Sequence, residues 1–147
     1  MIIFDIYSRT KRTIFHMSTH SQLKLLVNLA LIDNQVAERE KKYITNIGVA
    51  NGMKKEDVEE LFKQSHEIII PDGLSSDEKF NYLFSLIQLM KIDERLYKEE
   101  IKYCSQVASK LGYKQEVMFE LMLKVSSTMK QAEIDKLRAL VEGYLVK

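Results

Sequence analysis

Two pairs of carboxylates recur along the chain at the same spacing. Asp33 is followed seven residues later by Glu40, and Asp93 is followed seven residues later by Glu100. In each pair the aspartate follows an apolar helical segment, and the glutamate stands in the first turn of the next segment. A short connection would bring both carboxylates to one end of a helical bundle. Carboxylate oxygens, with loop carbonyls and water, are the ligands that Ca²⁺ and Mg²⁺ prefer, so these four residues are a candidate divalent-cation site.

A purely structural role explains the same four residues. An aspartate between helices commonly accepts hydrogen bonds from the backbone amides that follow it, and a glutamate in the first turn caps the helix and complements its dipole. Ala37 and Tyr97 stand at the expected N-cap positions and cannot supply the hydroxyl half of a capping box. An EF-hand is excluded, because the third and fifth positions counted from Asp33 are Gln35 and Ala37 and the sixth is not glycine.

Three glutamates beside these pairs predict a partner-binding face, namely Glu38, Glu94 and Glu99. A duplicated acidic pair with acidic neighbours favours a protein partner with a basic surface, because charge complementarity speeds association and fixes orientation. Nucleic acid is not an expected partner. The 22 basic and 21 acidic side chains leave a formal charge of only +1, whereas nucleic-acid binding requires clustered Lys and Arg.

The remaining reactive side chains do not predict an enzyme or a bound cofactor. His16, His20 and His66 lack metal-ligand spacing. Cys104 lies on an apolar helical stripe, which favours a buried thiol over a nucleophile. Glycine-rich phosphate loops and helical Glu-x-x-His pairs are absent from the sequence.

Composition places the chain among globular cytoplasmic proteins. Hydrophobic residues make up 46% and charged residues 29%, and the lone cysteine fits a reducing compartment. No apolar run approaches the roughly 20 residues that span a bilayer, so membrane insertion is not expected. Residues 1–17 place their apolar stretch before their basic residues, the reverse of a secretory signal. We interpret residues 1–17 as an N-terminal extension outside the fold and residues 18–147 as one helical domain.

The elements that must position the acidic pairs form an internal repeat. Shifting the sequence by sixty residues matches about forty consecutive positions without a gap. The matches that are identical or apolar in both copies include Leu23, Leu26, Leu29, Asp33, Glu40, Tyr43, Gly52 and Leu61 with Leu83, Leu86, Leu89, Asp93, Glu100, Tyr103, Gly112 and Leu121. The first helix of each copy is apolar around most of its circumference and is predicted to lie at the centre of the bundle.

Helical periodicity extends over nearly the whole chain. It predicts helices at about 20–32, 38–51, 55–68, 76–91, 98–111, 114–128 and 131–146. Ser75 and Glu78 form a capping box for the fourth helix, and Gly52 and Gly112 stand at expected left-handed ends of the second and fifth. The predicted fold is all-α, with about seven helices arranged as two pseudo-twofold-related three-helix units plus a C-terminal helix.

The pattern of apolar helix, Ile-Asp-Asn-Gln-Val-Ala-Glu-Arg-Glu and amphipathic helix, over residues about 20–146, resembles the TerB-like domain. That family is named for tellurite-resistance proteins and also occurs at the N-terminus of DnaJ-type co-chaperones. The resemblance implies an internally repeated helical fold that binds metal ions and proteins through an acidic face in stress responses. It transfers these roles to Asp33, Glu40, Asp93 and Glu100, with Asn34 and Glu94 in place of the family's glycine.

Two function classes follow. The first is a non-catalytic interaction module whose acidic face binds a protein partner, with or without a divalent cation. The second is a small Ca²⁺- or Mg²⁺-type sensor or buffer, in which the ion is the principal ligand.

Overall fold

The structure, a computed structural model, describes residues 19–32, 35–92 and 98–146. These residues form seven helices and one isolated bridge, between Tyr113 and Leu145. The helices are α1 (19–31), α2 (Glu38–Ala50), α3 (Lys55–Leu61), α4 (Ser76–Ile92), α5 (Lys98–Lys110), α6 (Val117–Lys124) and α7 (Gln131–Glu142). The all-α prediction is confirmed. Within the described ranges, no helix combines the length and apolarity needed to cross a membrane.

Helices α1 and α4 form the centre of the bundle, as their all-round apolar sequences predict. Their buried apolar side chains are Leu23, Leu25, Leu26, Val27, Leu29 and Ala30 in α1, and Phe80, Tyr82, Leu83, Leu86, Ile87, Leu89 and Met90 in α4. The other helices surround them: α4 contacts α2, α5, α6 and α7, while α2 packs on α3 and α5 on α6. Burying both central helices removes most of their apolar surface from water, which is the main favourable term in folding.

The predicted helix ends are confirmed where local sequence determines them. The Ser75 amide donates to Glu78 Oε1 and the Glu78 amide donates to Ser75 Oγ, each at 3.1 Å. Gly52 and Gly112 follow α2 and α5 with φ angles of 91° and 95°, a conformation that costs little only in glycine. Local chemistry therefore fixes where these helices begin and end.

The third helix is shorter than predicted: it ends at Leu61 and not near residue 68. The cause is a contact from α1. Asn28 Oδ1 accepts a hydrogen bond from the His66 amide, and Asn28 Nδ2 donates to the His66 carbonyl, both at 2.7 Å. A continued helix would need that same amide for its own ladder, so residues 65–70 run without helical structure.

The sixth helix is also shorter than predicted, running from Val117 to Lys124 in place of 114–128. At its start, the Lys114 amide donates to the Tyr144 carbonyl at 2.8 Å. At its end, the Lys91 ammonium donates to the Met122 and Val125 carbonyls. Cations at the C-terminus of a helix satisfy its orphan carbonyls and complement its dipole.

Gly48 allows α2 to approach both α1 and α3 closely. A Cβ atom added at Gly48 would lie 2.6 Å from Val58 Cγ2 and 2.9 Å from Leu23 Cδ1, and both of those side chains are fully buried. The position sixty residues later holds Ala108, which is buried. The second unit therefore accommodates a methyl group at the matched position, whereas at Gly48 the first unit has no room for one.

We expect Gly48→Ala to lower the free energy of unfolding by about 1 kcal/mol, because overpacking outweighs the gain in helix propensity. Denaturant unfolding measures the change. Adding Val58→Ala should relieve the clash, so the double variant should be more stable than the sum of the two single effects predicts. A Gly48→Ala protein as stable as the parent would contradict the close approach.

Candidate functional site

The first acidic pair is described on its glutamate side. Glu40 lies in the first turn of α2 and is only 7% exposed, while Asp33 and Asn34 lie outside the described residues. The Ala37 amide donates to Glu40 Oε1 at 3.4 Å, a long hydrogen bond. This is the glutamate half of a cap, since the Ala37 methyl group accepts nothing. Glu38, two residues earlier, is exposed.

The second acidic pair places its glutamate in the same way. Glu100 lies in the first turn of α5 and is 5% exposed, whereas Glu99 beside it is exposed. Asp93 and Glu94 lie outside the described residues. Burial, and secondarily the charge of Glu100, raise the pKa of the Cys104 thiol to about 12. Glu100 and Cys104 are both buried residues of α5, one helical turn apart.

Glu40 and Glu100 are the only carboxylate side chains that are buried in the described part of the chain. Charged side chains are rarely buried unless they are paired or hydrogen-bonded, and both glutamates have such interactions. Their positions are related by the sixty-residue repeat. Within residues 19–32, 35–92 and 98–146, no group of three or more His, Cys, Asp and Glu side chains is arranged to hold a metal ion. A cation site as predicted would need Asp33 and Asp93, so the prediction stays untested.

Two tyrosine–carboxamide contacts hold α2 and α5, which carry these glutamates, against the central helices. The Tyr43 hydroxyl donates to Gln88 Oε1 at 2.7 Å, and Gln88 Nε2 donates to the Ser126 carbonyl at 3.1 Å. The bond between Tyr43 and Gln88 thereby joins α2 of the first unit to α4 of the second unit. The same glutamine also fixes the chain that follows α6.

The second tyrosine–carboxamide contact is formed by the residues that the sixty-residue offset relates to the first contact. The Tyr103 hydroxyl donates to the Leu25 carbonyl at 2.8 Å and hydrogen-bonds with the Asn28 side chain, which offsets part of the rise that burial causes in the Tyr103 pKa. Asn28 in turn bonds His66. The sixty-residue offset relates the two sets of residues: Asn28 matches Gln88, Tyr103 matches Tyr43, and His66 matches Ser126. These matched contacts agree with the predicted pseudo-twofold relation of the two three-helix units, which stays a prediction.

We name these two sets the clamps: Asn28, Tyr103 and His66 form the first clamp, and Gln88, Tyr43 and Ser126 form the second. The two tyrosines match between the copies in the sequence, whereas the two carboxamides were not among the predicted site residues. The available signal was that Asn28 and Gln88 occupy matched positions in otherwise apolar helices. A polar side chain within an otherwise apolar helix is expected to have a hydrogen-bond partner.

Two other reactive side chains, Cys104 and His66, have structural roles. Cys104 is fully buried and unpaired, and its raised pKa keeps the thiol protonated and unreactive near neutral pH. The His66 ring Nε2 lies 2.9 Å from the Leu61 carbonyl oxygen at the end of α3. His16 lies outside the described residues.

The predicted acidic face carries mixed charge where the structure describes it. Glu38 lines a groove together with Arg39, Lys41 and Lys42. Glu99 is flanked on α5 by Lys98 and Lys102, which are also exposed. The buried glutamates, and not the exposed ones, are therefore the feature that the two units share.

Comparison of the chain with protein-family models, curated proteins and solved structures found no match.

The first clamp can be tested by removing one hydroxyl. We expect Tyr103→Phe to lower the free energy of unfolding by about 1–2 kcal/mol, because the buried Leu25 carbonyl and Asn28 lose a hydrogen-bond partner. Tyr113→Phe is the matched control: Tyr113 is buried, and its hydroxyl has no partner among the described residues. Equal effects of the two substitutions on denaturant unfolding would show that the clamp adds no stability.

Proposed function

We propose that this chain is a non-catalytic, TerB-like interaction module that binds a protein partner at the helix starts carrying Glu40 and Glu100. The partner is expected to present a basic surface, and the setting is a stress response, as the resemblance implies. The observation that carries the proposal is the pair of buried glutamates at repeat-related positions.

Burying a carboxylate costs free energy unless its charge is compensated, so a glutamate needed only as a helix cap has no reason to be buried. The chain has an exposed alternative: Glu133 caps α7 through a 3.1 Å bond from the Lys130 amide while remaining in solvent. Glu40 and Glu100 are buried in addition to lying in the first turn. This difference supports a role beyond capping.

The geometry also favours binding over catalysis. Cys104 is inaccessible, and the backbone and ring of His66 are held by Asn28 and by the end of α3. The Cys104 thiol is out of reach of a substrate, and the Nε2 of His66 is already engaged by the Leu61 carbonyl, whereas nucleophilic attack and proton transfer require an available group.

The exposed neighbours Glu38 and Glu99 give the sharpest test, because reversing them leaves the buried face intact. We expect the Glu38→Lys, Glu99→Lys variant to lose partners that the wild type recovers by affinity capture from cell lysate. Its association rate with a purified partner should fall, since charge complementarity acts mainly on encounter. The melting temperature should stay nearly unchanged.

The matched control is Glu67→Lys with Glu142→Lys, which reverses two other exposed glutamates and changes the net charge equally. It should recover the wild-type partners. If the Glu38 and Glu99 variant recovers the same partners in the same amounts as the wild type, the acidic face is not the docking surface.

A second candidate function rests on the same buried carboxylates. Carboxylate oxygens suit hard cations, and Glu40 and Glu100 would each contribute one ligand to a Ca²⁺ or Mg²⁺ ion, with Asp33 and Asp93 as the remaining predicted donors. The Ala37–Glu40 hydrogen bond of 3.4 Å is long, and Glu40 has a further interaction besides it, so capping is only one of the contacts that this carboxylate makes.

Under the cation hypothesis, we expect Ca²⁺ or Mg²⁺ to shift amide signals at the starts of α2 and α5 and to raise the melting temperature. A ligand that binds only the native state adds about 2.7 kcal/mol at a hundred times its dissociation constant. Glu40→Gln with Glu100→Gln retains an acceptor for capping and removes the charge, so it should abolish the response and keep the fold. If millimolar cation changes neither the spectra nor the melting temperature of the wild type, the cation hypothesis is wrong.

A further inference from the structure

A groove of about 570 Å³ lies between α2 and α3. Four cations line it, namely Arg39, Lys41, Lys42 and Lys55, together with the carboxylates of Glu38 and Glu59. The lining therefore carries a formal excess of two positive charges. Val49, which is 50% exposed, adds an apolar surface near the C-terminal end of α2.

The groove cations are not neutralised within the described part of the chain. Arg39, Lys42 and Lys55 are exposed, and the ion pairs found there join other residues. Lys41 is held differently, with its ammonium 5.9 Å from the centre of the Phe62 ring, a cation–π distance. The groove thus presents several positively charged side chains to solvent.

The internal repeat shows that this charge is not required by the fold. Sixty residues later, Arg39, Lys41 and Lys55 correspond to Glu99, Ile101 and Gln115. The exposed Val49 likewise corresponds to the exposed Ser109. The two units share their buried glutamates and clamps, and they differ at these surface positions. At these described positions the first unit therefore carries positive charge that the second unit does not.

We propose that the α2–α3 groove is a second docking surface, which binds an acidic segment of a partner protein that also presents an apolar side chain to Val49. Lys42 and Val49 are seven residues apart on α2, which corresponds to about 10 Å along the helix axis. Carboxylates of the segment pair with Arg39, Lys42 and Lys55, and its apolar side chain lies about two helical turns further along.

The charge pattern favours a protein segment over nucleic acid. Glu38 and Glu59 interrupt the cations, and a continuous phosphate backbone would be repelled at both positions. A peptide places its carboxylates individually and can leave the positions beside these glutamates neutral or basic. The formal charge of +1 for the whole chain gives no long-range attraction for a polyanion.

The probe for the test is a fluorescein-labelled peptide of repeated Glu-Glu-Leu, with a Lys-Lys-Leu peptide as its counterpart. We expect the acidic probe to bind the full chain, to shift amide signals of α2 and α3, and to weaken with added salt. Lys42→Glu should weaken binding about tenfold, as the loss and reversal of a close charge pair predicts. Val49→Ser should weaken binding without changing the salt dependence, because it removes an apolar contact only.

The matched control is Lys102→Glu, since Lys102 is the exposed repeat partner of Lys42 on α5. It should leave the affinity unchanged. Equal losses for Lys42→Glu and Lys102→Glu would reduce the effect to net charge and overturn the proposal. Failure of the acidic probe to bind would also overturn it. So would tighter binding of a single-stranded DNA oligonucleotide in the same groove, which would make nucleic acid the ligand.

Discussion

Two side-chain amides, Asn28 and Gln88, lie within the most apolar helices of the molecule, and the remaining architecture follows from how they are satisfied. Asn28 is buried, and a buried amide without partners costs about 1–3 kcal/mol. Asn28 meets this requirement by bonding both the amide and the carbonyl of His66, which holds the chain out of helical structure after α3. Gln88 is half-buried and makes a single bond to the chain after α6, from its Nε2 to the Ser126 carbonyl.

The clamps also decide which faces of α2 and α5 are buried. Tyr43 of α2 bonds to α4, and Tyr103 of α5 bonds to α1. Each of these outer helices is therefore bonded to the central helix of the other unit. Glu40 stands three residues before Tyr43, and Glu100 stands three residues before Tyr103. Residues three apart share a helix face, so each glutamate lies on the same side of its helix as the clamp tyrosine. The function proposed for the two carboxylates uses an arrangement that occurs at both repeat-related positions.

The sequence allowed the helices to be predicted but not the contacts that end some of them. Apolar periodicity, the Ser75 capping box and the glycines at 52 and 112 are local signals, because each depends on residues within one or two turns. The end of α3 depends on a bond between Asn28 and His66, which are 38 residues apart, and nothing near His66 indicates it. The burial of Glu40 could not be predicted either, because a first-turn glutamate is equally compatible with an exposed cap, as Glu133 shows. The described glutamates lie at the predicted helix starts, while Asp33 and Asp93 lie outside the described residues.

The differences between the units carry as much functional information as their likenesses. At the clamps, matched positions hold matched chemistry, and an altered first clamp would leave the buried Asn28 amide unsatisfied. Outside, that constraint is absent, and the two surfaces have diverged. Glu59 of α3 and Lys63, two residues after its end, are exposed charges, whereas the matched positions of α6 hold Phe119 and Leu123, which are 74% and 82% exposed. Exposed apolar side chains give a helix no stability, and single ones are common, but a pair one turn apart on a short helix is a surface of different character from a charged groove. The two units therefore combine matched interior contacts with unlike outer faces, so a segment that docks in the α2–α3 groove would not find the same surface on α5 and α6.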